Sequence, residues 1–257
     1  MANDLVSIIM LSHNDGRYVE ETVRSVLVQT YKNWEILFVD DNSQDDTIEQ
    51  MMDLKGKDKR FNISRSVYNK GTSYLRNIAI EQAKGRWIAF LDVGDTWAPD
   101  KLEKQVAFME ENGYAFSYTK YGMMNEKSQK RDVVIGGKTH IDYREMQKCC
   151  WPCYLTVMYD ASKVGKMRVR NLGKNNDYAL WLNICEKENC HLLDENLATL
   201  RTEWGFLGRF LLTDKLKWRY DCFRVEEDLR PIMASLFTIR NGFYGLVKWF
   251  KYVERAQ

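Results

Sequence analysis

The 257-residue chain lacks an excess of charge of either sign: 38 Lys and Arg stand against 36 Asp and Glu, for a net charge of +2. The bulk electrostatic footprint of a nucleic-acid binder is therefore missing, and no nucleic-acid partner is expected. Any apolar run approaching about 18 residues, the length that a membrane-spanning helix needs, is missing too. The opening "MANDLVSIIML" has neither the basic start nor the small-residue cleavage site of a secretory signal, so a cytoplasmic location with reduced cysteines is expected. The six cysteines (Cys149, Cys150, Cys153, Cys185, Cys190, Cys222) lack the paired spacing of structural zinc, although "CCWPC" and "CEKENCH" could together supply four ligands. Free thiols are the expectation. No internal repeat or low-complexity linker divides the chain. After the first apolar stretch the chain reads "SHNDG" and not G-x-G-x-x-G, so the pyrophosphate cradle of a nicotinamide-dependent dehydrogenase is absent.

What is present is enough apolar material, 45% of residues, to build a sizeable core. "LVSIIML" (Leu5 to Leu11) reads as a central strand covered on both faces. A helix follows with Val19, Val23, Val26 and Leu27 on one side. "WEILFVDD" (Trp34 to Asp41) is the second strand, and Ser43 is the expected N-cap of a helix over "DTIEQMMDL". "RFNISRSVY" is a weaker third strand. Gly71 and Thr72 open a helix, "SYLRNIAIEQA", that Gly85 is expected to end at C′. "RWIAFLD" is the fourth strand. Strand and helix alternate three times in about 90 residues, the pattern of βαβ units in a parallel sheet. Such a sheet binds ligands beyond the carboxyl ends of its strands, where His13 and Asn14, Asp40 and Asp41, and Asp92 and Asp95 all fall. After Pro99 come a helix ("DKLEKQVAFMEEN"), a strand ("YAFSYTKYGMMN"), a polar loop ("SQKRDVVIGGKTH"), a strand ("CYLTVMYD") and a helix ("NNDYALWLNICEKE"). From Asp214 the chain is mostly helical, with Pro231 in a first turn.

Two carboxylates near one point repel each other unless a cation or donors compensate them. A divalent metal shared with nucleotide phosphates would do so for Asp92 and Asp95. The competing reading is that Asp95 merely caps the turn before "TWAPDKLEKQ".

"VSIIMLSHNDGRYVEETVRSVLVQTYKNWEILFVDDNSQDDT", "NKGTSYLRNIAI", "GRWIAFLDVGDTWAPDKLEKQ" and "NNDYALWL" resemble, in order and spacing, the successive signatures of family-2 glycosyltransferases over residues 4 to 205. The tail resembles bacterial surface-polysaccharide and teichuronic-acid members. The resemblance implies an inverting enzyme of the GT-A fold: an α/β, Rossmann-like, mainly parallel sheet flanked by helices, with a C-terminal helical extension. It implies a catalytic domain over 1–205, with a nucleotide-sugar half (1–98) and an acceptor half (99–205), and an extension over 206–257. His13 and Asn14 would lie at the nucleotide, His13 stacking on the base. Asp41 would accept a hydrogen bond from a uracil-like ring, with Asp40 supporting the turn. Arg76 and Asp92 would sit near the phosphates, and Asp177 would be the general base. Asp92 and Asp95 would hold Mn or Mg, but Gly94 replaces the acid that relatives use as ligand. Metal could then bind in a shifted geometry or not at all, or transfer could be lost. Glu203 is a candidate for the missing oxygen. For each residue a plainer role competes: a surface loop for His13, a solvated helix face for Arg76, and an acid facing a helix N-terminus for Asp177.

From Lys215 to Gln257 nine basic and five acidic residues give +4, against −2 for the rest. "LFTIRNGFYGLVKWFKYVER" mixes aromatics with Arg240, Lys248, Lys251 and Arg255, as in helices that lie on anionic membranes. Packing against the catalytic body or a second subunit is the alternative. The implied reaction takes a sugar from a nucleoside diphosphate donor, expected to be UDP, to a saccharide or polyprenyl-linked acceptor in surface-glycan assembly. It would run in the cytoplasm or peripherally on the inner membrane face. Trp151 could stack on an acceptor ring or sit in the core. A catalytically silent nucleotide-sugar-binding or assembly subunit is the rival. A nucleotidyltransferase is disfavoured because "SHNDG" is not a glycine-rich basic loop.

Overall fold

The computed structural model describes residues 4–68, 71–168, 176–202 and 213–255. Strands β1 (Val6–Ser12), β2 (Trp34–Asp40), β3 (Phe61–Arg65) and β4 (Trp87–Phe90) pair in parallel in the order β4-β1-β2-β3. Helices α1 (Gly16–Leu27), α2 (Thr47–Lys55) and α3 (Thr72–Gln82) connect them. All seven residues of β1 are buried because both faces are covered. Val6, Ile8 and Met10 join one apolar cluster with Val19, Val23 and Val26, while Ile9 and Leu11 join another with Leu75, Ala79 and Ile80. Alternation along a strand sends successive side chains to opposite faces, so an unbroken apolar run is what a doubly covered strand requires.

The chain continues through β5 (Thr96–Trp97), α4 (Lys101–Asn112), β6 (Phe116–Met124), β7 (Lys130–Ile135), β8 (His140–Ile141), α5 (Tyr143–Lys148) and a 3-10 turn over Tyr154–Thr156. Then come β9 (Met158–Asp160), α6 (Ala161–Val164), α7 (Asn176–Cys185), β10 (Cys190–Arg201), α8 (Thr213–Val225), α9 (Pro231–Tyr252) and β11 (Val253–Glu254). Here the sheet is mixed. β10 runs parallel to β6, whereas β9, β7, β11, β5 and β8 pair antiparallel with their neighbours. Parallel order thus belongs mainly to the amino-terminal strands.

Several local expectations are corrected. Ser43 does not cap α2, whose N-cap residue is Asp46; its N–H (2.9 Å) and hydroxyl instead donate to the Asp40 carboxylate. Gly85 is not a left-handed helix end, since α3 stops at Ala83 in extended backbone. Gly85 is needed for close approach, because a Cβ there would stand 2.4 Å from the Leu5 carbonyl. "KRDVVI" is a strand and not a loop: its polar residues face solvent while its backbone pairs with β6. Only the last three residues of "CYLTVMYD" are strand. β10 escaped notice because Asp194 and Glu195 interrupt its apolar pattern, and the register shifts around Asn196. The 205/206 boundary falls outside the described residues.

Candidate active site

Two adjoining clefts open at the carboxyl ends of β1, β2 and β4. The smaller, about 180 Å³, is lined by Ser12, His13, Asp41, Thr72 and Leu75. The larger, about 560 Å³, is lined by Arg17, Arg76, Asp95, Tyr154, Asp177 and Arg201, among others. Asp15, Asp92 and Val93 border both, so one wall serves two compartments.

The wall of the small cleft is knitted by short polar side chains. His13 is exposed, yet both ring nitrogens are engaged: Nδ1 is 2.8 Å from the Asp41 carbonyl and Nε2 is 3.1 Å from Asn14 Nδ2. A neutral ring protonated at Nδ1 satisfies both contacts, donating to the carbonyl and accepting from the amide. Asn14, at φ 56°, adopts the left-handed backbone that asparagine tolerates. Its N–H donates to Ser43 Oγ (2.9 Å) and its Oδ1 accepts from Gln44 N (2.8 Å). Asn14 lines neither cleft and braces the His13 ring. Asp40 is fully buried, takes both Ser43 donors and faces Arg65 Nε at 3.4 Å, so it supports the turn. Asp41, 6% exposed, borders the cleft and accepts from Gly71 N at 3.3 Å.

Asp92 sits where β4 ends. Its Oδ1 accepts from Leu11 N (3.3 Å) and its Oδ2 from Arg76 Nη2 (3.0 Å). Burial raises the carboxyl above its ordinary range despite the opposing pull of Arg76, and the charge of Asp177 adds to the rise. Arg76 is buried, not solvated: its guanidinium lies 3.9 Å from the Tyr154 ring centroid, and its Nε has no hydrogen-bond partner among the described residues. Asp177, in the first turn of α7, faces the same cleft, and its charge acts on Arg76 and Asp92 alike. Behind it Leu180, Trp181 and Ile184 are fully buried, and Trp181 meets Phe90 edge-on at 5.4 Å. The helix is enclosed on all sides, which fixes Asp177.

The Asp92–Asp95 turn is shaped around Gly94, at φ +108°. Gly94 N donates to Thr22 Oγ1 (3.0 Å), and its carbonyl accepts from Arg201 Nε (2.7 Å). Asp95 Oδ1 accepts from Arg201 N (2.8 Å). Arg201 also reaches the Asn125 carbonyl (2.9 Å) and Ser128 Oγ (3.1 Å) and pairs with Glu21. Among the described residues no three His, Cys, Asp or Glu converge as metal ligands. Asp92 and Asp95 do offer the hard oxygens that a cation shared with phosphates uses. Glu203 lies outside the described residues.

With this geometry in view, the family model "Glycosyl transferase family 2" matches residues 7–170. The chain belongs to that family. A Bacillus subtilis glycosyltransferase named for teichuronic acid biosynthesis, TuaG, is 38% identical over 198 residues, 77% of this chain and 79% of its own length. An Escherichia coli UDP-Glc:alpha-D-GlcNAc-diphosphoundecaprenol beta-1,3-glucosyltransferase, WfgD, is 33% identical over 228 residues, 82% of this chain and 88% of its own. The crystal structure of Staphylococcus aureus TarS 1–349 in complex with UDP-GlcNAc superposes with a TM-score of 0.69 at 19% identity, covering 93% of this chain and 70% of that one. The fold is the expected GT-A fold.

This glycosyltransferase also places residues at the site that sequence reasoning passed over. Asp15 stands in the shared wall, accepting from His13 N (2.9 Å) and Ser12 Oγ (3.1 Å), with its carboxyl raised chiefly by burial. "SHNDG" contained it, but nothing in that string separates a wall residue from a turn residue. Tyr154 and Arg201 come from the 3-10 turn and the unrecognised β10. Trp151 belongs to the core: it is 1% exposed and its Nε1 donates to the Glu145 carbonyl at 2.9 Å. None of the six cysteines is in a disulfide among the described residues, and burial pushes Cys150 and Cys190 well above the usual thiol range. No helix among the described residues is long and apolar enough to cross a membrane.

Proposed function

We propose that this glycosyltransferase transfers a sugar from a uridine diphosphate donor to a lipid-linked saccharide, with inversion, in bacterial surface-glycan assembly. One observation carries the reading: Asp177 shares the larger cleft with Arg76 and Asp92, next to a nucleoside-sized cleft bordered by His13 and Asp41. Residues 1–98 hold the donor. Its base lies on the His13 ring, with Asp41 accepting from the ring N–H, while Asn14 keeps the imidazole in plane. The diphosphate lies over the strand ends within reach of Arg76 and the exposed Arg17. Residues 99–205 shape the acceptor side. The acceptor hydroxyl oxygen attacks the anomeric carbon from the face opposite the diphosphate. The new C–O bond forms as the old one breaks, the leaving diphosphate takes the electron pair, and Asp177 takes the hydroxyl proton. Mg or Mn, brought with the donor, would be held by Asp92, Asp95 and phosphate oxygens and would neutralise leaving-group charge. A lipid-linked acceptor brings the reaction to the inner face of the cell membrane.

The name of WfgD, with its diphosphoundecaprenol-linked acceptor, supports the acceptor class, and that of TuaG supports a role in building a polysaccharide. The test is calorimetric binding of UDP, GDP, CDP and ADP with and without Mg or Mn, on the wild type and on Asp177→Asn. UDP should bind tightest to both proteins, and Asp177→Asn should lose roughly 10²–10⁴ in kcat. A variant that turns over as fast as the wild type removes Asp177 from the chemistry. A wild type that binds UDP-sugar without transfer or hydrolysis is the silent subunit.

A further inference from the structure

The last helix is built inside out. The α9 residues buried against the body are small or polar: Ala234, Thr238, Asn241, Gly245 and Lys248. Phe237, Tyr244 and Tyr252 also pack on the core, but six other large apolar residues face away. Ile232, Leu236, Ile239, Phe243, Leu246 and Phe250 are between 51% and 82% exposed. Of the aromatic stripe expected to pack against the catalytic body or a second subunit, Phe237, Tyr244 and Tyr252 lie on the body, whereas Phe243 and Phe250 point away from it. Phe237 meets Phe223 edge-on at 5.5 Å and Tyr252 meets Trp151 at 5.6 Å. Polar contacts complete the inner face: Asn241 Nδ2 donates to Tyr178 OH at 2.9 Å, and Lys248 Nζ donates to the Trp151 carbonyl.

The spacing of the outward residues is four, three, four, three, four, which at 100° per residue keeps them on a stripe about 80° wide. So narrow a stripe is the seam that one helix offers another. At roughly 100–200 Å² each, the six side chains present on the order of 800 Å², one partner's share of a standard interface. Two of the four basic side chains beyond Pro231 are turned away from a lipid surface, while Lys251 and Arg255 are exposed. Lys248 points inward, and Arg240 is folded over Phe237 at 4.0 Å with Nε and Nη2 buried. Lys251 lies over its neighbour Tyr252 at 5.4 Å. Ser235 flanks one edge of the stripe, and on the same edge Gly242 faces Leu216 of α8.

The stripe is also symmetric about position 241. We propose that it pairs antiparallel with the same face of a second copy of this chain, around a two-fold axis that crosses the stripe at the level of position 241. Ile232 then opposes the partner's Phe250, Leu236 the partner's Leu246, and Ile239 the partner's Phe243. A two-fold interface must be self-complementary, and here each ring meets a smaller aliphatic chain. None of the six residues lines either cleft, so the donor reading stands or falls separately.

Sedimentation equilibrium of the full chain tests this. The wild type should be a dimer with a dissociation constant in the micromolar range or below. Phe243→Arg should raise that constant roughly a hundredfold or more, with UDP affinity unchanged and the melting temperature losing its dependence on protein concentration. Ile232→Lys and Phe250→Glu should each weaken the dimer, and the two together should restore it, because the register opposes these positions. A wild type that stays monomeric to about 100 µM overturns the proposal, as does a Phe243→Arg variant that still dimerises. Flotation of a monomeric wild type with phosphatidylglycerol vesicles would make a bilayer the occupant. A double variant no tighter than the singles refutes the antiparallel register.

Discussion

Replacing Lys101 by methionine should stabilise the protein at neutral pH and erase a pH dependence that the native chain carries. Lys101 begins α4 with no exposed surface. Its Nζ donates to Gln105 Oε1 at 2.6 Å and lies 4.2 Å from the Trp97 ring centroid, and it forms no ion pair among the described residues. Burial drives the ammonium down to about 7. In the unfolded chain a lysine titrates near 10.4. Between those values the unfolded state holds a proton that the folded state has released, so stability rises with pH through this window and is lowest on its acidic side. From pH 7 to pH 9 the linkage relation gives a gain of about 2 kcal/mol for the wild type. Methionine has nearly the same shape and no proton. The variant should therefore be more stable at pH 7, by an advantage that shrinks by about 2 kcal/mol at pH 9. The acceptor left on Gln105 costs about 1 kcal/mol at both values and cancels from the comparison. Urea unfolding followed by circular dichroism, on both proteins at both pH values, measures the change. If the difference between variant and wild type is the same at pH 7 and pH 9, Lys101 does not titrate in this range and the burial argument is wrong.

Three further outcomes are expected. Gly94→Asp forces a side chain into a turn at φ +108°, where it should cost about 1–2 kcal/mol and lower the melting temperature by several degrees; an unchanged melt would mean that the turn relaxes freely. Arg76→Lys loses the plane that lies on Tyr154 and the fork that reaches Asp92, and should destabilise the fold by about 1–2 kcal/mol in denaturant titration; a loss under about 0.5 kcal/mol would deny the stack any weight. His13→Ala should weaken UDP binding about tenfold in calorimetry while leaving the melt in place, because the ring is exposed; an equal loss for inorganic pyrophosphate would rule out contact with the base.

The amino-terminal half was legible because burial on both faces leaves a plain trace: "LVSIIML" and "WEILFVDD" cannot face water on either side. The acids at the strand ends were legible for the same reason, since each follows such a run directly. β7 and β10 were not. Their charged residues sit on solvated faces, and their order comes from backbone pairing that leaves no periodic mark. Tyr154 was hidden because "CYLTVMYD" reads as one strand, whereas a 3-10 turn breaks it and swings the ring under Arg76. The terminal helix shows a different limit. Its large and its small residues both recur at four-three spacing, so the sequence contains two possible inner faces. Only the shape of the body selects the small one.

Arg201 carries a consequence for how such enzymes can be recombined. From the end of β10 it engages Glu21 on α1, the Gly94 carbonyl and the turn at Asn125 and Ser128, while its own N–H holds Asp95. A hybrid that took its second half from a relative would arrive with a guanidinium built for one particular carboxylate and one particular carbonyl. The two halves are therefore not interchangeable cassettes. Breakpoints should succeed only when α1, the glycine turn and the tip of β10 travel from the same parent.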